Sequence, residues 1–114
     1  SAQEHRFGIH GGEIETSMML HLAPATVHME EARDWRSTSQ DRAEAHAILG
    51  NGRSAKMGWA IEDYHPAGAV GNAAAATAAK GQAVVQAAGQ ALAHLLSELH
   101  ALPLSTLGTP AQPR

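Results

Sequence analysis

The sequence predicts an α/β protein, on three observations. Phe7 and Ile9 alternate around Gly8 and lead into a glycine pair. A helical apolar period starts directly after Gly11 and Gly12, where flexible residues release the chain from an extended approach. A long alanine-rich segment near the C-terminus carries a second, sustained helical period. With 114 residues there is room for one domain or part of one.

Taken in order, residues 1–9 read as a strand or loop arriving at the glycines. The first helix runs from about Gly12 to Leu22, and Pro24 ends it because its ring and missing N–H cannot continue the ladder. Residues 28–55 are polar and read as irregular: Arg33-Asp34-Trp35-Arg36-Ser37 opens a charged stretch that ends in the turn Gly50-Asn51-Gly52. Lys56 to Ile61 reads as a short strand and Tyr64 to Gly68 as a turn. The long helix spans roughly Ala74 to Leu102, with Val84, Val85, Ala88, Leu92, Leu95, Leu96 and Leu99 recurring at three- and four-residue steps. Gln82, Gln86, Gln90 and Ser97 occupy much of its other side. Pro103 stops the helix, so the domain is expected over residues 1–102 and residues 103–114 read as a disordered tail.

The first helix places a carboxylate where a hydrophobe would ordinarily stand. At about 100° per residue, Ile14, Met18, Leu22 and Met19 fall within an arc of about 140°, with Glu15 inside it. Glu13 points about 200° away from Glu15. The arc therefore predicts an inward, partnered Glu15 and a solvated Glu13, because an unpaired buried carboxylate costs several kcal/mol. For Glu13 the ordinary account of a first-turn acid suffices, since it complements free amides and the macrodipole. His10, just before the glycines, is the natural companion of Glu15 and makes with it a candidate acid–base pair.

The run HGGEIETSMMLHLAPATVHM, from His10 to Met29, resembles the HAGxxETS segment of the creatininase (creatinine amidohydrolase) family. Leu22-Ala23-Pro24-Ala25-Thr26-Val27 is similar to the L-x-P-x-x-V phrase that follows it there. Gly68-Ala69-Val70-Gly71-Asn72-Ala73, with Ala76-Thr77-Ala78-Ala79-Lys80-Gly81, resembles the family's G-x-x-G-(D/N)-(P/A)…ATAxKG segment. Together the two cover residues 7–100 or so, and Gly11 stands where alanine is commoner, a change expected to matter little at a tight turn. The resemblance implies the last strands and helices of a three-layer α/β/α sandwich with a mainly parallel sheet. It implies hydrolysis of a C–N bond in a cyclic amide, a formamide or, in one branch, a peptide, by water activated at a centre of two divalent metal ions, Zn, Mn or Fe. His10 matches the motif histidine, implied to pass a proton to the leaving nitrogen. Glu15 matches the motif glutamate, implied to ligate a metal or orient its ligand. Complete members carry a Glu-x-His pair, an aspartate and an Asn-Gly-His motif upstream, and only nine residues precede His10. The chain is therefore expected to be the C-terminal half of such an enzyme, inactive alone, with the missing N-terminal half as a partner. Creatininase carries a tryptophan just before the motif, where Glu4-His5-Arg6-Phe7 stands here, which counts against creatinine as the small-molecule amide substrate.

His65, in a turn approaching Gly71-Asn72, and Trp59 are assigned to the substrate pocket, although core packing is the commoner use of tryptophan. His5 could belong to the upstream edge of the site, whereas His46, His94 and His100 read as surface groups. A net charge of −3, a pI of about 6.2 and the lack of a basic run argue against nucleic acid as a partner. The absence of cysteine excludes disulfides and zinc–thiolate sites and fits a cytoplasmic protein. No apolar run reaches the ~18 residues of a membrane span. A core built largely of alanine with four aromatics is thin, so apolar surface is expected to pack on the missing half or on further copies in a homo-oligomer. The competing reading is non-catalytic: a helical assembly piece whose long amphipathic helix docks on a partner.

Overall fold

A computed structural model of the chain describes residues 1–54 and 58–108. Helix α1 (Ala2–Phe7) opens the chain, capped by the Ser1 hydroxyl, which accepts the Glu4 N–H at 3.2 Å. Residues 1–9 are thus mostly helical rather than a strand. The cap residue and first-turn acid at Ser1 and Glu4 outweigh the two alternating apolar residues. The chain turns extended from Gly8, and Ile9 and His10 bond Val70: Ile9 N–H donates to Val70 O at 3.0 Å and Val70 N–H to His10 O at 2.7 Å. Helix α2 (Glu13–Leu22) follows as expected, and Pro24 opens a 3₁₀ turn over Pro24–Thr26.

The polar stretch expected to be irregular contains regular structure. A 3₁₀ turn at Met29–Glu31 leads to strand β1 (Asp34–Trp35) and helix α3 (Thr38–Ala45). Ser37 caps α3 by accepting the Ser39 N–H at 3.1 Å, and Arg36 pairs with Asp41 at 2.6 Å. Capping and ion pairing replace the apolar period that a search for hydrophobes would need. Of the strand expected from Lys56 to Ile61, Lys56 and Met57 lie outside the described residues, Gly58 to Ala60 is non-regular, and Ile61 opens helix α4 (Ile61–Tyr64). Strand β2 (Gly71–Asn72) runs into a 3₁₀ turn at Ala73–Ala75, where the Asn72 side chain accepts the Ala75 N–H at 3.1 Å. Helix α5 (Ala78–Ala101) starts at a Thr77 cap and ends before Pro103. Leu104–Leu107 forms one more 3₁₀ turn where a disordered tail was expected, and residues 109–114 lie outside the described ones.

The described residues are mostly helical, with one small sheet among them. Strands β1 and β2 pair antiparallel, Asp34 opposite Asn72 and Trp35 opposite Gly71. This departs from the mainly parallel sheet expected: among the described residues no parallel pair forms, and two-residue strands offer too few ladder bonds to build one. The body is held where α2 crosses α5. A Cβ at Gly81 would overlap the Ser17 carbonyl, so the missing side chain sets the approach of the two helices. Ser17 is fully buried and its hydroxyl accepts the Thr77 N–H at 3.1 Å. The buried apolar side chains among the described residues are Val70, Ala73 and Ala76, and the buried polar ones are Glu4, Glu13, Ser17 and Ser37. Beyond Val85 helix α5 leaves the body, and the longest dimension of the molecule reaches 58 Å. No helix among the described residues is long and apolar enough to cross a membrane.

Candidate active site

The turn His10-Gly11-Gly12 is tied to the first turn of α2 from both sides. Gly11 N–H donates to Glu15 Oε2, and the Thr16 hydroxyl donates to Gly11 O at 3.1 Å. Gly11 has φ +67°, a left-handed backbone that favours glycine, so exchange with alanine at this position is not neutral. The same Glu15 Oε2 lies 3.6 Å from His10 Nδ1. Sequence and structure therefore agree that His10 and Glu15 come together. They sit on the rim of a cleft of about 620 Å³ whose walls include Met18, Met19, Leu22, Val27, Met29 and Trp35. On the same rim His28 Nδ1 faces Glu30 Oε1 at 3.0 Å.

The burial of the two helix-start acids is the reverse of that expected. The Glu15 side chain is 47% exposed, whereas Glu13 as a residue is only 5% exposed. Lys80 Nζ donates to Glu13 Oε1 at 2.6 Å and to Ala75 O at 2.7 Å, and the Ser1 ammonium reaches Glu13 Oε2 at 3.1 Å. The face of α2 that packs carries Glu13 and Ser17, because only small or paired side chains tolerate the close approach of α5 at Gly81. The apolar arc, with Met19 and Leu22 exposed, lines the open cleft instead.

Glu4 is the residue that the sequence reading missed. It is buried, and its carboxylate accepts Ile14 N–H at 3.4 Å and Asn72 N–H at 3.1 Å. It therefore joins the start of α2 to β2, the two segments that carry the family resemblance. Gly12 and Gly71 wrap it, and a Cβ on either would run into the carboxylate. The signal available in the sequence was the Ser1-Ala2-Gln3-Glu4 spacing of a capping box. That spacing marks the start of α1, which was read as a strand or loop, and the glutamate side chain turns to other amides than the one at Ser1. His65 serves its own turn, accepting the Ala67 N–H at 3.1 Å, and Trp59 is 52% exposed. Neither lines the cleft beside His10 and Glu15. His5 sits exposed on α1.

A histidine and a carboxylate sharing a tight glycine turn at the mouth of an apolar cleft make a site suited to proton transfer. A profile of the creatininase family, described as creatinine amidohydrolase, matches residues 1–96 of the chain. The chain belongs to the creatininase family, whose activity is of amidohydrolase type and generally metal-dependent. Neither a curated protein nor a solved structure matches it. The donor set does not by itself fit a metal centre: among the described residues no three His, Asp, Glu or Cys side chains are placed to hold an ion.

Proposed function

We propose that this chain is a portion of a creatininase-family amidohydrolase that cleaves a C–N bond of a small cyclic amide or formamide. The observation that carries this reading is Glu15 Oε2 at 3.6 Å from His10 Nδ1 on the rim of a cleft, within the segment matched to the family. His10 is the proton carrier to the leaving nitrogen. Glu15, pinned by the Gly11 N–H, stands beside the imidazole and orients it. In the complete enzyme Glu15 is also this chain's contribution to a centre of two divalent metal ions, of Zn, Mn or Fe. The other ligands come from a missing N-terminal half within the family's three-layer sandwich, where a mainly parallel sheet is built. His65 and Trp59 belong to the substrate side in that complete form. The setting is cytoplasmic and the assembly homo-oligomeric, without nucleic acid or membrane as partners.

The test is reconstitution. The chain alone is inactive on amides with Zn, Mn or Fe supplied, and mixing with an N-terminal half from a complete family member restores metal-dependent hydrolysis. In the reconstituted enzyme His10→Gln and Glu15→Gln each lower kcat/KM by about 10–100-fold. Hydrolysis by the isolated chain, or indifference to both substitutions, overturns the reading. A second reading, a non-catalytic partner-binding piece, is favoured by one observation: Leu92, Leu95, Leu96 and Leu99 lie 49–57% exposed along α5. It predicts reconstituted complexes that form tightly and hydrolyse nothing.

A further inference from the structure

We propose that the cleft bounded by α1, α3 and the Gly50-Asn51-Gly52 turn binds an oxyanion, a carboxylate or phosphate group carried on an organic body. The cleft has a volume of about 520 Å³ and is lined by both Arg6 and Arg42. The other arginines on neighbouring segments are engaged: Arg36 pairs with Asp41 and Glu44, and Arg33 donates to the carbonyls of Glu30 and Ala32 at 2.7 and 2.8 Å. Among the described residues neither Arg6 nor Arg42 has a carboxylate partner, and no Asp or Glu lines the cleft. The protein as a whole carries a net charge of −3, so two unneutralised guanidiniums in one cleft do not reflect a generally basic surface.

Both guanidiniums are oriented by aromatic rings. Arg6 stands 4.7 Å over the Phe7 ring, and Arg42 stands 5.3 Å over the Tyr64 ring with one N–H given to Thr38 Oγ1 at 3.2 Å. Stacking fixes the plane of a guanidinium and leaves its edge N–H fork to reach a planar or tetrahedral oxyanion. The Ser39 side chain is a further wall residue, and Ile9 and Leu49 give apolar surface for the body of the ligand. Like charges sharing a cleft repel, and an anion that enters it relieves that repulsion. His10 is not in this wall, so the cleft stands apart from the proton-transfer pair although Ile9 precedes that histidine. The inference does not depend on the amidohydrolase reading.

The test uses the full 114-residue chain, labelled with nitrogen-15. Inorganic phosphate and succinate are titrated separately at constant ionic strength, with sodium chloride as the control, while backbone and arginine Nε–H resonances are followed. Saturable shifts confined to residues around Arg6, Arg42 and Gly50 to Gly52 are expected with at least one of the two anions. Saturation by phosphate alone points to a phosphorylated ligand, and by succinate alone to a carboxylate ligand. Arg6→Gln, at an exposed position, should weaken that binding by about tenfold, the effect of losing one charged hydrogen bond. Arg42→Lys tests the second arm, and if it fails to fold Arg6→Gln decides alone. Linear shifts with both anions, or equal binding by wild type and Arg6→Gln, overturn the proposal.

Discussion

Glu13 has its carboxyl held down to about 2 from an ordinary 4.5, first by the hydrogen bond from Lys80 and then by that from the N-terminal ammonium, against the opposing effect of burial. A folded-state pKa below the unfolded one contributes stability that is fully present above the unfolded value and is lost as pH falls towards the folded one. Denaturant unfolding should therefore show this contribution disappearing between about pH 4.5 and 2. Glu13→Gln should cost about 2 kcal/mol near neutrality, as for a hydrogen bond to a charged group, and flatten that part of the acid profile. An unchanged acid limb in the variant would assign the ion pair no role in stability. At this scale the nearness of His10 and Glu15 was legible, since both flank one glycine turn. The burial of the acids was not, because an arc of hydrophobes says which side is apolar and not which side is covered. Glu4 was hidden for a related reason: its partners are backbone amides, and amides have no sequence signature.

Two glycines of α5 separate packing from propensity. Gly81 meets the Ser17 backbone at the crossing with α2, whereas a Cβ on Gly89 would meet nothing within 4 Å. Gly81→Ala should destabilise the protein by about 3 kcal/mol, the upper end for forcing an extra carbon into a packed contact. Gly89→Ala should stabilise it by about 0.5–1 kcal/mol, by removing glycine's entropic penalty inside a helix. Thermal unfolding of the two variants checks both signs, and a stabilising Gly81→Ala would mean that the helices do not meet there. The helices α2 and α5 were readable because each carries a long apolar period closed by proline. Helices α1 and α3 were not, since six and eight residues give too few turns for a period and announce themselves only through Ser1 and Ser37. The strands were misplaced because each is two residues long and is defined by its distant partner.

Seen whole, the molecule is a small polar-cored body with a helix reaching out of it. The three buried apolar side chains among the described residues, two of them alanine, cannot account for a leucine row left half-exposed on the same chain. Sedimentation of the isolated chain should show concentration-dependent association. Leu95→Lys combined with Leu99→Lys should return it to monomer with helix content kept. Monomeric behaviour of the unaltered chain at high concentration would count against a covered face in the working assembly. The expectation of a thin core was correct for a physical reason: alanine supplies little area per residue, whatever the fold.

The bonds that close the body span more than half of the 114-residue chain: Glu4 with Asn72, Ser17 with Thr77 and Lys80 with Glu13 are 68, 60 and 67 positions apart. None of them can form until a loop of that size has closed, at an entropic cost of roughly 4 kcal/mol. Helix α2, at ten residues, is too short to persist in water while it waits. Assembly is thereby all-or-none, with few stable stopping points between coil and native chain. Amide hydrogens of Ile14, Asn72 and Thr77 should become exchangeable in a single shared opening, while those of α5 beyond Leu92 exchange through local fraying of the helix alone.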